Sequence, residues 1–209
     1  MSDGRGAAKP SPRAISIGLT GGQAAGKSTA LRFFAEAGAL PLSSDQIVRD
    51  LYRRPEVIRA VFDRFGDEVA AADGGLDRVA LRERTAGDVG ALDWLEELLH
   101  PLVGREIAEQ IGRALAGSIV VVEVPLLFEA GLEDAFDFVV TIEAPPEVRR
   151  KRASGREGSS LFELLDQRQL SSEARRAGAD FVYVNDVCPE DMAQFVHEVI
   201  ERVRRESAD

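Results

Sequence analysis

Apolar positions along the chain follow two rhythms. Residues 14–20 (AISIGLT) form a β-branched apolar run that breaks at Gly21-Gly22, and residues 28–37 then carry Leu31, Phe34 and Ala35 at helical spacing. Strand, turn and helix are predicted in that order. Gly38 stands where a helix C-terminal glycine belongs, and ALPLSSD follows as a second short strand ending at Asp45. From residue 46 to about residue 116 the pattern becomes charged and amphipathic, with turn signals such as AADGG between helical stretches. That is too much helix for one crossover, so part of it is expected to form a separate lobe. His100-Pro101 predicts a kink or a helix restart within it, because proline disfavours helical geometry at the preceding residue.

A second set of strands follows. SIVVVEVPLLF (residues 118–128) is a continuous apolar run suited to a central parallel strand, and FDFVVTIEA (136–144) and DFVYVND (180–186) predict two more. Helices are predicted over residues 146–153, 161–177 and 189–206. Strands alternating with helices imply an α/β fold, a parallel sheet covered on both faces with right-handed crossovers.

Composition narrows the function. The chain has 209 residues, 44% hydrophobic and 30% charged, which suits one globular domain with attachments, placed at residues 14–209 behind a loose tail over residues 1–13. Against 26 Lys and Arg stand 36 Asp and Glu, a formal net charge of −10. So acidic a surface argues against nucleic acid or an anionic membrane as the main partner, and any anionic ligand must be met by local positive groups. One cysteine and two histidines provide neither a disulfide nor a structural zinc set. With no apolar run of signal-peptide or membrane-span length, a cytoplasmic protein is expected.

Gly21-Gly22-Gln23-Ala24-Ala25-Gly26-Lys27-Ser28 satisfies G-x-x-x-x-G-K-[ST] between a predicted strand and helix. The glycines let backbone N–H groups turn inward and the helix adds its positive end. Lys27 then reaches the β and γ phosphates of a nucleoside triphosphate, and Ser28 supplies a hydroxyl to Mg2+. Such loops serve small-molecule kinases, GTPase switches and ATPases. No N-K-x-D base-reading segment is present, which counts against a switch, whereas Glu123 after SIVVV keeps an ATPase open.

A kinase of this topology needs a carboxylate near the acceptor hydroxyl, at the carboxyl ends of the strands. Asp45 is the candidate. The alternative is that Asp45 only caps the helix that begins at Gln46.

These residues resemble the dephospho-CoA kinase family over roughly residues 15–185. GLTGGQAAGKST is similar to its phosphate loop, AADGGLDRVALRER and WLEELLHPLV to its helical segment, and VEVPLLFE to the segment after its middle strand. The resemblance implies a P-loop kinase core with a five-stranded parallel sheet, a CoA-binding helical lobe over residues 46–116 and a lid over about residues 149–165. The implied reaction is ATP-dependent phosphorylation of the ribose 3′-hydroxyl of dephospho-CoA, with Mg2+.

It also implies site roles. Asp45 falls on the family's catalytic acid, and Arg152 and Arg156 on lid arginines that neutralise phosphate charge. Gly22, Gln23, Ala24, Ala25, Gly26, Lys27, Ser28 and Thr29 fall on the nucleotide loop, and Asn185 near the adenine or in a plain turn. His100, Pro101, Leu126, Leu127 and Glu129 match acceptor-side positions, with a hydrogen-bonded structural role preferred for His100 and core packing an equal reading for the leucines. Arg149, Arg150 and Lys151 read as a solvated basic helix end. Three departures stand out: Ser43 where many members carry an earlier acid, Ala24-Ala25 where Gly-Ser is common, and Val187 where a glycine often follows the Asn.

Overall fold

The computed structural model describes residues 13–154, 166, 168–186 and 189–207. Five strands, β1 (Ile15–Gly21), β2 (Leu40–Ser43), β3 (Ile119–Glu123), β4 (Phe138–Glu143) and β5 (Phe181–Val184), pair in parallel in the order β2-β3-β1-β4-β5. Eight α-helices flank them among the described residues: α1 (Lys27–Glu36), α2 (Ser44–Leu51), α3 (Pro55–Phe65), α4 (Arg78–Thr85), α5 (Val89–Arg113), α6 (Pro146–Ala153), α7 (Ser172–Gly178) and α8 (Pro189–Glu206). Leu19 of β1 and Ser43 of β2 both stand opposite Glu123 of β3, which brings the carboxyl ends of the strands to one edge.

Alternation along β3 divides the core. Val120 and Val122 face a cluster that includes Leu51, Val57, Val61, Leu95 and Leu99 of the helical segment, while Ile119 and Val121 face Phe34 of α1 and Val196 and Val199 of α8. Helices α2 to α5 therefore share their core with one face of the sheet and carry none of their own. In α3 the buried Val57, Val61 and Phe65 recur every four residues, one side of a helix, and Pro55 opens it at a position where its missing N–H costs nothing. Trp94 of α5 meets Phe65 edge-on, ring centroids 5.5 Å apart at 84°.

Several boundaries differ from the sequence reading, each for a local reason. Strand β2 stops at Ser43, whose Oγ accepts a hydrogen bond from the Gln46 N–H at 3.4 Å and so caps α2. Strand β3 stops at Glu123: the Val124 N–H donates to Leu19 O at 2.9 Å, and Pro125, with no N–H to continue the ladder, turns the chain. Helix α5 runs unbroken through Pro101 with no restart, its 25 residues spanning about 37 Å. The helix expected over residues 161–177 is absent at residues 169–171, and α7 begins instead at Ser172, capped by Ser171 Oγ at 3.1 Å from the Ala174 N–H. Of the expected tail, Arg13 is held to Asp137 (2.8 Å), while residues 1–12 lie outside the described residues.

Candidate active site

The turn from β1 into α1 is built around close approaches that exclude side chains. A Cβ on Gly21 would sit 1.9 Å from Ile142 O, and one on Gly26 2.5 Å from Asn185 Nδ2; both residues have positive φ. Ala24 also lies in the left-handed region, at φ 59°, where a side chain is tolerated only with strain. Gly22 and Ala25 are buried, and Gln23, Gly26 and Thr29 half-buried.

Lys27 is 7% exposed, and its Nζ donates to Gly21 O and Gly22 O at 3.0 Å each. Burial pushes the ammonium below its usual value; Glu123, Asp45 and Glu143 oppose that push and Arg175 adds to it. Ser28 is exposed and its Oγ donates to Glu123 Oε1 at 3.5 Å. Burial raises the Glu123 carboxyl; Lys27 counters the effect and the nearby charge of Asp45 reinforces it.

Asp45 lies in the first turn of α2, not at the end of β2, and is exposed. Its carboxylate caps nothing, because Ser43 does. Ser43 takes that duty and so leaves the Asp45 carboxylate free of it.

The back of the loop is held from β5 and α6. The side chain of Asn185, 9% exposed, donates to Ala25 O at 2.7 Å, and Arg152 donates to Ala25 O and to Asn185 Oδ1, both at 3.3 Å. Gln169 is the tie that no site reading assigned. Its amide donates to Gly21 O (3.1 Å) and Pro125 O (2.9 Å) and accepts from the Gln23 N–H (2.8 Å).

Beneath the loop lies a buried ion pair between Arg175 and Glu143, each 3% exposed, joined by two parallel bonds of 2.7 Å. Burial drives the Glu143 carboxyl up, yet the Arg175 hydrogen bonds and charge prevail and hold it below its ordinary value. Arg149 is buried as well, paired with Asp166, and approaches Gly22 as Arg175 does. The solvated reading thus holds for the exposed Arg150 and Lys151 but not for Arg149. The only outward signs in the sequence were an acid ending an apolar strand and arginines in EARRAG.

The remaining candidates separate. Leu127 is fully buried, and its Cδ1 would lie 2.5 Å from a Cβ on Gly18, so it packs the core; Leu126 is half-buried. Glu129 Oε1 accepts from the Leu170 N–H at 2.6 Å, while its Oε2 is buried with no partner among the described residues. His100 and Pro101 are exposed on α5, and His100 makes no hydrogen bond among the described residues, against the structural role expected of it. One turn earlier on the same face, Glu96 pairs with Arg168 at 2.6 Å, beside Gln169. Arg156 lies outside the described residues, as does most of the expected lid.

A parallel sheet of this strand order, with a phosphate loop after its first strand and an acid just past its second, defines a P-loop kinase core. Residues 15–191 match the family model described as dephospho-CoA kinase, and the chain belongs to that family. It is similar to the dephospho-CoA kinase of Frankia casuarinae (37% identity over 189 residues, 88% of this chain and 82% of the relative). It is also similar to that of Thermobifida fusca (34% over 194 residues, 91% and 97%). Among solved structures, a Thermus thermophilus protein superposes with a TM-score of 0.78 at 30% identity, covering 91% of this chain and 98% of its own.

Proposed function

We propose that this chain transfers the γ-phosphoryl group of ATP to the ribose 3′-hydroxyl of dephospho-CoA, giving coenzyme A and ADP. The observation that carries the reading is the placement of Asp45: an exposed carboxylate with no capping duty in the first turn of α2, two residues past the end of β2 and within electrostatic reach of Lys27 and Glu123. In this reading the triphosphate lies on residues 22–28 and Lys27 exchanges its bonds to Gly21 O and Gly22 O for phosphate oxygens. The acceptor lies between the loop and the helices of residues 46–116, where Asp45 takes the hydroxyl proton as the phosphoryl group leaves ATP. Arg152, anchored at the end of α6, supplies positive charge at the back of the loop.

Ser28 Oγ and the Glu123 carboxylate form the hard oxygen set that suits Mg2+, with Asp45 close by. When bound there, Mg2+ neutralises charge on the phosphate oxygens. Glu123→Gln is expected to raise the Mg2+ concentration needed for half-maximal rate about tenfold. No helix among the described residues is long and apolar enough to cross a membrane, and with the acidic surface the cytoplasm is the setting that fits.

The test is ADP release from MgATP with and without dephospho-CoA, with the product weighed by mass spectrometry. Acceptor-dependent release and a gain of one phosphate support the kinase; equal release without acceptor supports a nucleotide hydrolase and removes Asp45 from its role.

A further inference from the structure

Lys27 leaves two carbonyls behind when it turns to a triphosphate, and each already has a second donor. Gly22 O also accepts from the Ala25 N–H at 3.1 Å. Gly21 O also accepts from the side chain of Gln169 at 3.1 Å, across 148 positions of sequence. The first bond comes with the turn itself, whereas the second has to be delivered from across the molecule. Both carbonyls belong to buried residues. A buried acceptor stripped of its donors carries the full cost of its desolvation, so a waiting donor at Gly21 O decides how readily Lys27 lets go.

The Gln169 amide fits in one orientation. Its nitrogen faces Gly21 O and Pro125 O (2.9 Å) and its oxygen faces the Gln23 N–H (2.8 Å), so a flipped amide would set acceptor against acceptor and donor against donor. Both amide hydrogens are thus engaged by carbonyls, and Gln169 acts on the loop, not on a phosphate.

The backbone around it is pinned from three elements. Arg168 meets Glu96 of α5 at 2.6 Å, the Leu170 N–H donates to Glu129 Oε1 at 2.6 Å, and Arg175 of α7 donates to Leu170 O. Arg175 is in turn tied to Glu143, the last residue of β4. None of these bonds involves Lys27, so Gln169 keeps its place whether the ammonium faces the loop or a phosphate.

We propose that Gln169 is a positioning residue for Lys27: its hydrogen bond to Gly21 O frees the ammonium from the loop and so tightens the binding of a nucleoside triphosphate that Gln169 itself does not touch. The inference deepens the kinase reading above and rests on its placement of the triphosphate at Lys27.

Equilibrium binding of MgATP, measured by calorimetry without acceptor, tests it on four proteins: wild type, Gln169→Met, Lys27→Met and the double variant. Methionine fills the space of the glutamine and donates nothing. With Lys27 present, Gln169→Met is expected to weaken MgATP about tenfold, because Gly21 O is stranded when the ammonium departs. With Lys27→Met, the same change is expected to leave the dissociation constant within about twofold, because there is no ammonium to release. A residue that merely shapes the loop would weaken MgATP by the same factor in both backgrounds; that result, or an unmoved dissociation constant in Gln169→Met, overturns the proposal. Gln169→Asn, which withdraws the amide by one methylene, runs the same cycle with a smaller first step where Gln169→Met does not fold. Acceptor-dependent ADP release by the wild type judges the kinase reading separately. A wild type that binds MgATP but ignores dephospho-CoA overturns that reading and leaves the cycle to decide the role of Gln169, and one that does not bind MgATP overturns both.

Discussion

The phosphate-loop side and the side of α2 to α5, which the proposed reaction assigns to nucleotide and acceptor, are built on opposite plans. On the first, backbone carbonyls, two glycines without room for a Cβ, and the buried groups Lys27, Asn185, Arg175 and Glu143 interlock. On the second, Asp45 and Arg78 stand exposed on helices whose other faces pack the core, and Arg53 is exposed in the turn after α2. The contrast predicts where stability and chemistry are coupled: substitutions at the buried positions of the loop are expected to disturb fold and nucleotide together, whereas the exposed Asp45 is expected to be exchangeable in a protein that stays folded.

Asp45→Ala is the sharpest test of that contrast and carries the largest expected effect. Turnover falls by about 10²–10⁴, while the thermal midpoint barely moves because the residue is exposed and caps nothing. A variant with near-native turnover takes Asp45 out of the mechanism. Gly21→Ala is the opposite case: a Cβ 1.9 Å from Ile142 O forces β1 and β4 apart, and a loss exceeding about 4 kcal/mol is expected in denaturant melts.

Arg175→Met leaves Glu143 buried without its partner and is expected to cost about 3–5 kcal/mol. The same pair sets an acid response. Because the folded state holds the Glu143 carboxyl below its ordinary value, this contribution is complete above the unfolded value of about 4.3 and disappears as pH falls through the lower, folded one. Glu143→Gln should flatten that part of the acid stability curve; a slope equal to wild type would assign the acid sensitivity elsewhere. Ala24→Gly has the smallest effect. It relieves left-handed strain at φ 59° at some entropic cost, for a net gain of about 0.5 kcal/mol in denaturant melts.

Much of the sheet and the loop was legible because both write themselves into local pattern. Apolar runs marked every strand, and Gly38, read as a helix terminator, takes φ 90°. What stayed hidden depended on partners distant in sequence. Nothing near Glu143 announces that Arg175, 32 residues on, will neutralise it, and nothing in LLDQRQL shows that Gln169 will reach three backbone groups of two turns. Asp45 was misplaced by two residues because two serines and an acid compete for one cap, and the contest is settled by which oxygen meets the Gln46 N–H. His100 was given a hydrogen bond on the strength of its company in the motif, yet the helix turns it outward.

The chain's one tryptophan, Trp94, lies half-buried against Phe65 in α5, among the helices assigned to the acceptor. The nucleotide side carries no indole at all. Intrinsic emission therefore observes one half of the reaction: a titration with dephospho-CoA should perturb the fluorescence directly, while ATP alone registers only to the extent that it moves those helices, so the order of ligand arrival can be followed without attaching a label.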